Sequence, residues 1–144
     1  MKDLAFWKHL ANGPGTTTLT NSSTFDVLSM IGGTKPANLK YLVLMMRLDG
    51  ANSAIWINAQ GTSNTHFVLK QEELGKLTDD PSERIYSGIQ FKFDASTWVL
   101  STKGCYYTHT YWHDNYGNIE ITANSHHNIG DLVFTFYGIE GVFY

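Results

Sequence analysis

The most constraining feature of the chain is a pair of apolar runs joined by a turn signal. Leu39-Lys40-Tyr41-Leu42-Val43-Leu44-Met45-Met46-Arg47-Leu48 is followed by Asp49-Gly50-Ala51-Asn52-Ser53 and then by Ala54-Ile55-Trp56-Ile57-Asn58-Ala59. Asp-Gly between two runs rich in β-branched and aromatic residues marks a hairpin, here with a loop of about five residues. Neither run reaches the 18 or more apolar residues of a membrane-spanning helix, and no other stretch does. We take this hairpin as the central one of the fold.

The rest of the chain has the same grain. Thr, Ser and Asn make up about a quarter of the residues while strong helix formers are sparse, which favours strands joined by turns. Strands are expected at Thr16–Thr20, Thr24–Ile31, Thr65–Leu69, Arg84–Asp94, Thr97–Ser101, Cys105–Trp112, Asn118–Asn124 and Asp131–Tyr137, with a further one at Gly141–Tyr144. Two short helical pieces are expected. One is an N-terminal helix or arm with Leu4, Trp7 and Leu10 or Ala11 at helical spacing, stopped by Asn12-Gly13-Pro14-Gly15. The other is a single turn over Lys70–Leu77, before an exposed loop at Thr78–Glu83.

A chain of 144 residues is the size of one domain, and its hydrophobic content of 42% suffices for a core without disulfide or metal. We expect an all-β fold, a single β-sandwich of jelly-roll or Greek-key type over residues 16–144, preceded by an arm at 1–15. The residues expected to be mainly buried are Phe25, Val27, Tyr41, Val43, Ile55, Ile57, Ile89, Phe91, Phe93, Ile119, Ile121, Phe134 and Phe136.

Several function classes are disfavoured. Ten Lys plus Arg against thirteen Asp plus Glu, with no basic stretch, argue against nucleic acid as a partner. The start Met1-Lys2-Asp3-Leu4 lacks the pattern of a secretory signal, so synthesis in a cytoplasm without membrane insertion is expected. The single cysteine, Cys105, rules out an internal disulfide and a cysteine-based zinc cluster, and after Gly104 it reads as a small buried thiol. No Gly-x-Ser-x-Gly elbow, P-loop or dinucleotide fingerprint is present. Glu72-Glu73 and Asp79-Asp80 are sequence neighbours, not carboxyls converging across a cleft.

Histidines are the remaining chemical candidates. His109, His113, Asp114, His126 and His127 hold the donor types of a transition-metal site, but His126 and His127 are adjacent and point to opposite sides of an extended strand. A cupin centre would require two histidines one residue apart and a downstream Glu. The run His109-Thr110-Tyr111-Trp112-His113 departs from that, so a cupin-like metal enzyme using His109 and His113 stands behind other readings. We assign no catalytic residue, metal or cofactor.

The segment Tyr106–Tyr116 is the best ligand candidate. Trp112 and Tyr116 offer ring faces on which a sugar can stack, and His113, Asp114 and Asn115 offer groups for its hydroxyls. The expected site is the loop Trp112–Gly117 at one end of the sandwich, with core or subunit interface as the competing reading of its aromatics.

The ending Asn128-Ile129-Gly130-Asp131-Leu132-Val133-Phe134-Thr135-Phe136-Tyr137, continued by Gly138-Ile139-Glu140-Gly141-Val142-Phe143-Tyr144, resembles the last strands of trimeric jelly-roll domains. It is similar to complement-type and tumour-necrosis-type heads and to the tip or virion domains of bacteriophage fibres. The start of the chain, its Thr/Asn/Ser richness and its apolar N-terminal arm lean the resemblance toward phage. It implies a homotrimer located in the virion, either a structural subunit or a receptor-binding component, bound to other virion proteins through the arm and recognising a host-surface glycan. Exposed aromatics such as Trp7, Trp112, Phe143 and Tyr144 on a chain with only 16% charged residues also suggest self-association. A stand-alone lectin-like carbohydrate-binding module is the alternative.

Overall fold

The computed structural model describes residues 5–48, 50–71, 83–115, 118–127, 129–130 and 132–144. Of these, residues 69–71, 83–87, 108–115 and 118–127 are described by their backbone alone. The elements in chain order are β1 (Phe6–Leu19), β2 (Thr24–Asp26), α1 (Val27–Met30), β3 (Leu39–Leu48), β4 (Ala51–Asn58), β5 (Asn64–Gln71), β6 (Glu83–Asp94), β7 (Val99–Ser101), β8 (Tyr107–Asn115), β9 (Asn118–His127) and β10 (Leu132–Phe143). They form two antiparallel sheets, one ordered β1-β10-β3-β4 and the other β2-β7-β6-β8-β9 with β5 on the free side of β6. The fold is an all-β sandwich. Because β10 inserts between β1 and β3, chain neighbours are not sheet neighbours there, as Greek-key connections require.

The central hairpin forms with Leu48 opposite Ala51, so its connection is the two residues Asp49 and Gly50, and Gly50 sits at φ +82°. That is tighter than the loop of five expected, because Ala51-Asn52-Ser53 joins the ladder.

The N-terminal segment is strand, not helix. From Phe6 onward β1 pairs with β10 and runs through the expected arm boundary at residues 15 and 16 without interruption. Asn12-Gly13-Pro14-Gly15 does not turn the chain. It is absorbed as an irregularity of register between Asn12 and Gly15, following another between His9 and Ala11. An edge strand tolerates this, because the missing N–H of Pro14 interrupts no inner ladder. Gly13 is required there: a Cβ would collide with the carbonyl oxygen of Phe136.

The expected strand Thr24–Ile31 is split. After Asp26 the chain makes one helical turn, capped where the Ser29 N–H donates to Asp26 Oδ1 at 3.1 Å. Gly32 and Gly33, both with positive φ, then end it by donating to Ser29 and Leu28 carbonyls. The two strands expected at the C-terminus are one, with register shifts at Phe136/Gly138 and Val142/Phe143. The turn expected over Lys70–Leu77 falls mostly outside the described residues; Lys70 and Gln71 belong to β5.

Between the sheets lies a core with four phenylalanines at its centre. Phe25 is 5.6 Å from Phe136, 5.9 Å from Phe134 and 6.5 Å from Phe91 (ring centroids), and Phe91 is 5.3 Å from Phe134. Val27, Ile55, Ile57, Ile89 and Phe93 join them as expected. Of the two β3 residues expected to be buried, Val43 is fully so and Tyr41 only in part. Leu42, Leu44, Met46 and Leu48 point inward, while Val43 lies outside this core. The side chains of Ile119 and Ile121 lie outside the described residues.

Candidate functional site

The outer face of the four-stranded sheet explains why Val43 is buried. Directly opposed residues share a face. One row across the sheet is therefore Trp7, Val142, Tyr41 and Asn58, and the next is His9, Glu140, Val43 and Trp56. β1 and β4 are the two edges, with three inter-strand spacings of ~4.8 Å between their backbones. Yet the rings of Trp7 and Trp56 meet at 5.2 Å and 90°. Both indoles lean inward over the middle strands and roof the two valines, leaving Val43 0% and Val142 7% exposed. Tyr41 packs its ring against Trp56 at 5.8 Å and 70°.

The roof itself stays in water: Trp7 is 56% exposed and Trp56 50%. Beside it, the His9 ring lies between two acceptors, with Nδ1 3.1 Å from Glu140 Oε2 and Nε2 3.1 Å from Asn12 Oδ1. Two edge-to-face ring contacts, each worth about 0.5–1.5 kcal/mol, hold the aromatics in place without covering them. Rings at right angles make a corner instead of a flat shelf, so a guest ring can lie on one aromatic face and abut another. His9, Glu140, Asn12 and Asn58 supply donors and acceptors at the rim.

The residues singled out from the sequence lie elsewhere. Trp112, His113, Asp114 and Asn115 belong to the end of β8, which continues past the strand end expected at Trp112 and carries a register shift between Tyr111 and Trp112. Their side chains, and Tyr116 and Gly117 altogether, lie outside the described residues. The register sets His109 opposite Ser125, His126 opposite Thr108 and His113 opposite Glu120; these side chains are likewise outside the description.

Among the described residues three groups are perturbed. Cys105 is buried, and desolvation pushes its thiol up against the opposing pull of Lys92. His66 holds its imidazole below the ordinary histidine value because burial disfavours the cation, and its Nε2 is buried without a partner. Asp94 is held low by the Ser96 hydroxyl at 2.6 Å, then by the Ser96 and Thr97 N–H groups, which is the chemistry of a turn. Among the described residues no three His, Cys, Asp or Glu side chains gather as a metal site, and no helix is long and apolar enough to cross a membrane.

The aromatic roof left a faint trace in the sequence. Trp56 alternates with Ile55 and Ile57, which places it opposite them, but nothing local pairs it with Trp7, almost fifty positions away. No protein-family model, curated protein or solved structure matches the chain significantly.

Proposed function

We propose that the protein is a non-catalytic recognition module that binds a glycan on the outer face of its four-stranded sheet, as a receptor-binding or structural component of a phage particle. The observation that carries the glycan reading is the half-exposed corner of Trp7, Trp56 and Tyr41, fixed on strands and rimmed by His9, Glu140 and Asn12. Sugars present apolar ring faces and equatorial hydroxyls together, and this surface offers aromatic planes and polar groups at matching proximity. Its position on a sheet built into both core and roof supplies the preorganisation that limits the entropic cost of binding. The phage setting and the homotrimer rest on the resemblance of the C-terminal segment and on composition. A stand-alone lectin-like module would use the same surface.

Subunit contact is the second reading, favoured by the same exposed indoles and by Phe6, which is exposed and stacked on Phe143 at 5.4 Å. Host-cell adsorption and light scattering of wild type and Trp56→Ala separate the two. Loss of adsorption with unchanged mass supports glycan recognition; a fall in mass with adsorption retained overturns it in favour of an interface.

A further inference from the structure

The aromatic corner does not end at Tyr41. Lys40, its chain neighbour on β3, carries its ammonium 5.8 Å from the Tyr41 ring centroid and 5.6 Å from that of Tyr144, so one cation spans both rings. Tyr144 is 58% exposed and is fixed by its N–H donating to the Asn38 carbonyl at 3.0 Å. It lines a cleft of about 370 Å³ together with Asn38, Gln60, Lys35 and Trp98. That volume is at the lower end of the roughly 300–1,000 Å³ of ligand pockets. At its wall the Lys35 ammonium lies 5.2 Å over the Trp98 ring and donates to the carbonyls of Ala95 at 3.2 Å and Ser96 at 3.5 Å. An ammonium has three donors, so one is left for a guest.

Two further observations single this cleft out. Asn38 and Trp98, both lining it, are the non-glycine residues with positive φ among those described, at 63° and 54°. Such a conformation is unfavourable for a bulky Trp, and the strain persists where surrounding contacts hold it, here the Trp98 N–H to Asp94 O at 2.7 Å and the Val27 N–H to Trp98 O at 3.0 Å. Charge is the other. Two other hollows are lined by Asp26 and by Asp94, whereas no Asp or Glu side chain lines this cleft and no carboxylate among the described residues pairs with Lys35 or Lys40.

We infer that the binding surface is a continuous track from Trp7 and Trp56 over Tyr41, Lys40 and Tyr144 into the Lys35–Trp98 cleft, and that its ligand is an oligosaccharide bearing a carboxylate. This rests on the glycan reading of the aromatic face and specifies its ligand. Neutral faces of the chain stack on the indoles; the carboxylate of an acidic sugar accepts from the two ammonium groups while its ring lies against Tyr144 or Trp98.

The test uses paired probes: galacturonate, glucuronate and sialate oligomers, each beside its own methyl ester, which keeps the ring and removes the charge. Binding is measured by calorimetry at low and at raised salt. At least one acid is expected to bind about tenfold more tightly than its ester at low salt, an advantage that shrinks with salt and disappears in Lys35→Gln and Lys40→Gln. Trp56→Ala is expected to weaken acid and ester alike. Equal binding of acids and esters, or an acid preference that both lysine variants retain at wild-type melting temperature, overturns the acidic track and leaves the aromatic face standing. Failure of every acid and ester to bind overturns both.

Discussion

The two faces of the four-stranded sheet are built from the same strands, and both bury apolar side chains, but they do so differently. On the inner face Leu42, Leu44, Ile55, Phe134 and Phe136 are closed off by a second sheet. On the outer face Val43 and Val142 are closed off by single side chains reaching in from the sheet edges, and those side chains stay half in water. A face sealed by a whole sheet has spent its apolar surface on folding. A face sealed by two indoles retains ring area that a ligand can still remove from water.

The largest effects belong to the inner face. Phe134→Ala removes a fully buried ring from the centre of the aromatic core and is expected to cost about 3–5 kcal/mol, a large share of the stability of a domain this size. Urea denaturation checks it; a loss under about 1 kcal/mol would mean that the two sheets do not pack as described. Next comes Gly13→Ala, at the irregularity that lets β1 lie along β10. The added Cβ meets a backbone carbonyl that cannot swing aside, so a loss of about 1–3 kcal/mol is expected in thermal denaturation, along with disturbance of the strand that carries Trp7.

On the outer face, Trp56→Ala is expected to cost about 1–2 kcal/mol, because roughly half of that side chain is already solvated, while glycan binding is lost. A cost as large as that of Phe134→Ala would erase the contrast between the faces. The smallest effect is one of pH. His66 has its folded value below the ordinary 6.5, so the unfolded chain binds the proton first as the pH falls. Its contribution is fully present above about pH 6.5 and declines as the pH drops from there toward the lower folded value. His66→Leu should therefore show a smaller drop in melting temperature between about pH 7.5 and pH 5 than wild type; an unchanged drop would show that His66 is not its source.

Much of the core between the sheets was legible in the sequence, because Phe91 and Phe93 alternate with Gln90, Lys92 and Asp94, Phe134 and Phe136 flank Thr135, and alternation fixes a face. In Leu39–Leu48 both alternating sets are apolar, so periodicity could not say whether Val43 or Leu44 faced the core. The N-terminal strand was hidden for another reason: Gly13-Pro14-Gly15 reads locally as a stop, and only pairing with β10 turns it into an irregular edge. The outer corner was illegible because it joins Trp7 to Trp56 through tertiary contact alone. The sequence drew attention instead to Trp112–Tyr116, where aromatic and polar residues are contiguous.

The chain has four tryptophans, Trp7, Trp56, Trp98 and Trp112, and each indole N–H gives its own signal in an NMR spectrum. Titrating labelled protein with the glycan of the host-cell surface while following these four signals tests the central claim directly. Shifts of Trp7 and Trp56, with Trp112 unmoved, are the predicted result. Shifts confined to Trp112, or signals of Trp7 and Trp56 that stay fixed while the glycan binds, would contradict the assignment of recognition to the outer face of the four-stranded sheet.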